Sequence, residues 1–118
     1  MARQYFTELS EPQLRRTKFI ARRQSYHGNT LGSLAAGGHK ARRAIFEPIL
    51  ATSTSHVSPC YPYRDMKDGE GNEEYVSRLA EELENEFQRV GPDTVCAFMA
   101  ETMSGTVGQQ LGPLRACK

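Results

Sequence analysis

Asn72-Glu73-Glu74-Tyr75-Val76-Ser77-Arg78-Leu79-Ala80-Glu81-Glu82-Leu83-Glu84-Asn85-Glu86-Phe87-Gln88-Arg89-Val90-Gly91-Pro92-Asp93-Thr94-Val95-Cys96-Ala97-Phe98-Met99-Ala100 sets two elements of different character back to back. In the first, Val76, Leu79, Ala80, Leu83, Phe87 and Val90 recur at helical spacing. A helix over Glu73–Val90 therefore buries one stripe and leaves its glutamates in water. Asn72 is placed to cap it, Glu73 and Glu74 suit its positive end, Arg89 suits its negative end, and Gly91-Pro92 stop it. In the second, Val95–Ala100 is an unbroken apolar run of strand length. A strand apolar on both faces belongs inside a sheet covered on both sides, as in parallel α/β folds.

Working outward, Lys18-Phe19-Ile20-Ala21-Arg22 reads as a short strand, and the Gly and Asn of Gln24–Asn29 mark a loop after it. Asn29 or Thr30 caps a short helix over Leu31–Ala36, which Gly37-Gly38 end in a left-handed turn. A second helical stretch, His39–Leu50, puts Ala41, Ile45 and Ile49 on one side, with Pro48 weakening its last turn. Ser55–Cys60 is a short strand, Asp65–Gly71 a polar loop, and Met1–Leu9 the end of a helix with Tyr5, Phe6 and Leu9 on one face. The order strand, helices, strand, helix, strand predicts an α/β unit with a mostly parallel sheet and crossover helices.

Composition bounds the rest. The chain has 118 residues, 25% charged and 38% hydrophobic, an ordinary globular balance. No apolar run approaches the roughly 20 residues that span a bilayer, and Met1–Phe6 lacks the apolar core of a secretory signal. Cys60, Cys96 and Cys117 form no C-x-x-C pair, which fits a reducing compartment, so a cytoplasmic location is expected. The net charge of +1 hides an asymmetry: residues 1–60 are strongly basic and residues 61–118 strongly acidic. A basic half can signal nucleic acid, through Arg15, Arg16, Lys18, Arg22, Arg23, Arg42 and Arg43. The favoured reading is blander: a solvated surface, or two halves that face each other. His56 and Cys60 are a weak metal pair because Pro59 breaks any helix between them, and no metal site is expected. No serine sits in a nucleophile elbow, and the glycines at 28, 32, 37 and 38 form neither a dinucleotide fingerprint nor a phosphate-binding loop.

In open α/β sheets ligands bind beyond the carboxyl ends of the strands. Two groups fall there: Tyr26-His27-Gly28 after the first strand, and Glu101 after the run that ends at Ala100. An aromatic beside a glycine suits a flat ligand, since the ring stacks and the missing side chain permits close approach. A carboxylate at the mouth of an apolar strand is costly unless it has a partner or a task. An aromatic after a strand is nonetheless more often core than platform, and a strand-end glutamate is usually solvated.

The stretch Phe19-Ile20-Ala21-Arg22-Arg23-Gln24-Ser25-Tyr26-His27-Gly28-Asn29-Thr30-Leu31-Gly32 resembles a segment of the class III, pyridoxal-phosphate-dependent aminotransferases. Gly38–Arg43, His56–Arg64 and the helix leading to Val95–Glu101 continue the resemblance over residues 1–108. It implies a partial large domain of a fold-type-I transferase, with pyridoxal 5'-phosphate as cofactor. It also implies that Tyr26 stacks on the cofactor ring, that His27 and Gly28 lie beside it, and that Glu101 stands by the cofactor and substrate entrance. Thr102-Met103-Ser104-Gly105 departs from the family's Pro-Val-Gln-Gly at that point.

The family's phosphate-holding segment, its pyridinium-pairing Asp and its Schiff-base Lys are not matched, so the chain is expected to be a fragment with no catalytic residues of its own. Residues 109–118 are read as a non-matching tail. The implied partners are a small-molecule amine or amino acid and an oxo acid, within a homo-oligomer and without nucleic acid or membrane. The alternative is a non-catalytic interaction protein that binds a full-length aminotransferase subunit.

Overall fold

A computed structural model describes residues 1–102. Three strands form the sheet: β1 (Lys18–Arg22), β2 (Thr54–Val57) and β3 (Val95–Met99), in the order β2-β1-β3. Both pairings are parallel, with Ile20 opposite Ser55 on one side and Phe98 on the other. Five helices connect and flank them: α1 (Ala2–Thr7), α2 (Leu31–Ala36), α3 (Lys40–Arg43), α4 (Pro62–Asp65) and α5 (Asn72–Val90). The expected parallel α/β arrangement is present. The boundary expected after residue 108, and the tail 109–118, lie outside the described residues.

The strand that is flanked on both sides is β1, not β3. Ile20 and Ala21 are fully buried, whereas on β3 only Val95 and Cys96 are, and Ala97–Met99 are half-covered. Among the described residues β3 pairs only with β1, so the apolar run 95–100 lies at an edge rather than inside. Apolarity measures how far both faces of a strand are covered, and it carries no information about which strands lie to either side.

Alternation along β1 sends Ile20 to one face and Ala21 to the other. On the Ile20 face, Val57 and Val95 form the core, against which Leu83, Phe87 and Val90 of α5 pack. The predicted α5 stripe therefore meets the sheet. The stripe's spacing did not include Tyr75, the largest fully buried side chain among the described residues, whose hydroxyl accepts from the Tyr61 N–H at 2.9 Å. The cap of α5 is Gly71 rather than Asn72. The Gly71 N–H donates to the Glu74 carboxylate at 2.9 Å, and Asn72 is the first helical residue.

The opposite face carries α2, and here two expectations fail. Gly37 is extended (φ −66°, ψ 147°), so α2 does not end in a left-handed turn. The glycine that matters is Gly38, for space: a Cβ there would lie 2.5 Å from the Arg22 carbonyl oxygen and from the Arg23 Cα. Nor do residues 39–50 make one helix. Only α3 and a 3-10 turn at Glu47–Ile49 form, because Pro48 supplies no N–H to extend the ladder. Ile45 and Ile49, expected on one buried side, are 82% and 63% exposed.

Candidate functional site

Parallel strands that are neighbours end on the same edge of a sheet, about 5 Å apart. β1 and β3 are such a pair, so the Tyr26-His27-Gly28 loop and Glu101 leave the sheet along one edge. Residues 97 and 99 oppose Phe19 and Ala21 on the α2 face, and Glu101 follows two residues after β3 ends. The loop turns toward that face as well. Gln24 adopts φ 60°, its N–H donates to the Gly38 carbonyl at 2.9 Å, and the Gly38 N–H returns to the Ser25 carbonyl at 3.1 Å. Ser25 is buried, and its hydroxyl donates to the Arg22 carbonyl at 2.6 Å.

From that anchored base Tyr26 reaches the surface with 40% of its area exposed. The Arg42 guanidinium lies over one face of its ring, 4.9 Å from the centroid. A cation at that distance is held by the ring quadrupole and occupies that face. His27 follows, with Nε2 buried and without a hydrogen-bond partner among the described residues. A buried polar atom of this kind costs free energy until something supplies a bond. Gly28 takes φ +122°, and a Cβ there would meet the Ser33 side chain at 3.0 Å. Thr30 caps α2 by accepting from the Ser33 N–H at 3.3 Å. Glu101 is partly buried just beyond β3.

The arrangement suits a flat, polar aromatic ligand: one part-exposed ring, one orphaned imidazole nitrogen and a loop closed down by glycine. Those features fit the pyridine ring of a pyridoxal cofactor. The resemblance in sequence marked Tyr26, His27, Gly28 and Glu101 but not Arg42, whose place depends on how α3 folds back.

The described lysines stand elsewhere. Lys18 Nζ donates to the Val90 carbonyl at 3.2 Å, at the amino end of β1. Lys40 is exposed on α3 two residues before Arg42, and positions two apart on a helix do not face the same way. Lys67 is exposed in the loop after α4. His56, half-buried on β2, places Nε2 3.0 Å from the Ala36 carbonyl. Burial pushes its imidazole below the ordinary histidine value; the charges of Arg43 and Arg23 add to this, and the Ala36 and Gly37 carbonyls oppose it.

Several basic residues of 1–60 have partners in the second half of the chain. Arg15 pairs with Asp93 at 2.9 Å and Arg23 with Glu82 at 3.3 Å. Arg16 donates to the Pro92 and Val95 carbonyls, and Arg22 lies over Phe98. Two ion pairs thus join the basic half to the acidic half.

A partly covered parallel sheet with crossover helices and an exposed aromatic beyond its carboxyl edge is a piece of an α/β domain. Comparison with known proteins identifies which one. The sequence model for class III aminotransferases matches residues 1–113, and the chain belongs to that family, whose members depend on pyridoxal phosphate. It is 53% identical over 117 residues to an aminotransferase of Gibberella zeae, covering 98% of this chain and 22% of that one. It is 41% identical over 91 residues to the chloroplastic gamma aminobutyrate transaminase 3 of Solanum lycopersicum, covering 77% and 17%. The omega transaminase of Pseudomonas jessenii, solved in complex with PMP, superposes with a TM-score of 0.75 at 33% identity, covering 79% of this chain and 20% of that one. The chain thus spans about a fifth of the length of the relatives it matches.

Proposed function

We propose that this chain forms part of the cofactor face of an aminotransferase large domain, with Tyr26 against the ring of pyridoxal phosphate. His27 and Gly28 line the ring's edge, and Glu101 stands on the substrate side. When bound, the cofactor supplies the electron sink through which an amino group passes between an amine or amino acid and an oxo acid. The chain's own residues stack, orient and exclude water. The observation that carries this reading is the part-exposed Tyr26 ring, with Arg42 over one face, in the loop that leaves the edge where β3 also ends.

Lys18 is engaged with the Val90 carbonyl and Lys40 and Lys67 are exposed, which supports binding without turnover by residues 1–102. The complete protein is proposed to act as a homo-oligomer on small-molecule substrates, without nucleic acid or membrane. Among the described residues no helix is long and apolar enough to cross a bilayer. A cytoplasmic location is part of the same proposal, although the tomato relative is chloroplastic.

The test is an NMR titration of this chain with pyridoxal phosphate, followed by borohydride reduction and peptide mapping. Amide shifts should centre on residues 26–28 and 101, and Tyr26→Ala should weaken binding about tenfold, the worth of one aromatic stack. No single lysine should be labelled stoichiometrically. Shifts that map elsewhere, or that survive Tyr26→Ala unchanged, would overturn the platform reading; one stoichiometric lysine adduct would overturn the claim of no turnover.

A further inference from the structure

The last carbonyls of a helix have no partner within it. In α2 they are all taken by side chains from later in the chain. Arg43 Nη1 donates to the carbonyls of Leu34 at 3.2 Å, Ala35 at 2.6 Å and Gly37 at 2.8 Å, while His56 Nε2 lies 3.0 Å from that of Ala36. The other side of the Arg43 guanidinium is held by Glu47, which accepts from Nε at 3.2 Å and from Nη2 at 3.1 Å. Five fixed contacts on one planar group, only 16% exposed, leave it a single orientation.

A four-residue helix such as α3 has no stability of its own, so its position follows from what Arg43 grips. Arg42 is the next residue on that helix, and its guanidinium lies over the Tyr26 ring. The same end of α2 reaches Tyr26 by a second route, because Gly38 exchanges hydrogen bonds with Gln24 and Ser25 just before it. Both the base of the Tyr26 loop and the cover on its ring are thus referred to the carboxyl end of α2.

We infer that Arg42 and Arg43 are positioning residues for the Tyr26 ring: Arg43 fixes α3 on α2, and Arg42 closes one ring face so that a planar ligand has only the other. The inference rests on Tyr26 being the cofactor platform. It requires arginine at both positions, since a lysine ammonium neither spans three carbonyls and a carboxylate nor stacks flat on a ring.

The experiment uses the full chain and two readouts. Without ligand, NOEs between the Arg42 side chain and the Tyr26 ring protons report the ring's cover. With pyridoxal phosphate, shifts at 26–28 report affinity, and the melting temperature serves as a control. Arg42→Gln, at an exposed position, should leave the melting temperature unchanged and weaken pyridoxal phosphate about threefold to tenfold. Arg43→Gln should abolish the Arg42–Tyr26 NOEs, and Arg43→Lys should not restore them. Wild-type affinity in Arg42→Gln, or retained NOEs in Arg43→Gln, would overturn the inference. Should Arg43→Gln fail to fold, the Arg42→Gln affinity decides alone. NOEs lost as expected, with no response to pyridoxal phosphate at 26–28 in the wild-type chain, would support the ring's positioning and refute the cofactor reading.

Discussion

Gly38→Ala is the most telling single perturbation of this fold. The added Cβ would lie 2.5 Å from the Arg22 carbonyl oxygen and the Arg23 Cα, and 2.7 Å from the Gln24 N. All three are backbone atoms at the exit of β1, so no side chain can swing aside. Ordinary contact requires the Gly38 strand to move away by roughly 0.9 Å, which would stretch the Gln24 N–H to Gly38 bond of 2.9 Å and the Gly38 N–H to Ser25 bond of 3.1 Å. Overpacking against immovable neighbours plus two weakened hydrogen bonds costs about 3 kcal/mol. In a chain of 118 residues that lowers the melting temperature by roughly 12 °C.

Gly32→Ala is the internal control. Gly32 lies within α2, and nothing stands within 4 Å of its would-be Cβ. There alanine should stabilise by about 0.5–1 kcal/mol, because glycine gives up more backbone entropy on entering a helix. Urea unfolding followed by circular dichroism, on both variants at equal protein concentration, reads the two effects with opposite sign. A Gly38→Ala variant within about 1 kcal/mol of the wild type would refute the close-approach argument, and with it the account of how the Tyr26 loop is held.

Tyr75→Phe should cost about 1–2 kcal/mol in the same assay, because the Tyr61 N–H at 2.9 Å loses a buried acceptor while the ring stays in place. The guanidinium of Arg78, hydrogen-bonded at 2.7 Å, together with the Lys67 N–H, holds the Glu70 carboxyl down to about 2. Its folded value lies below its unfolded one, so its stabilisation is complete above about pH 4.5 and is lost as the pH falls toward 2. Glu70→Gln should therefore flatten stability against pH in that window, as measured by urea midpoints from pH 6 to 2.5. His56 also has its folded value below the unfolded one, so stability should decline as the pH falls below about 6.5. His56→Gln should remove that slope between pH 7 and 5; an unchanged slope would assign it to other groups.

The fold class was legible in the residue order, and so was the position of the candidate site residues after β1, because both depend on local information. Helical spacing marks α5, a short apolar run between charges marks β1, and the Tyr-His-Gly run after β1 falls where a parallel sheet presents ligands. Sequence alone does not give the order in which strands pair, so the apolar run 95–100 did not show that β1, among the described residues, is the strand paired on both sides. The Gly37-Gly38 pair looked like a turn because glycine serves both unusual dihedrals and close approach, and only packing tells the two apart.

Sequence by itself determined that this chain is α/β, which stretches are strands, and that an aromatic, a histidine and a glycine stand at a strand's exit. Tertiary structure alone decided that Arg43 grips the carboxyl end of α2, that Arg42 covers one face of Tyr26, and that two ion pairs join the basic first half to the second. The reason is range. Propensity and periodicity act over a few residues, whereas a guanidinium finds its carbonyls, or an aromatic ring, only after the chain has folded back on itself.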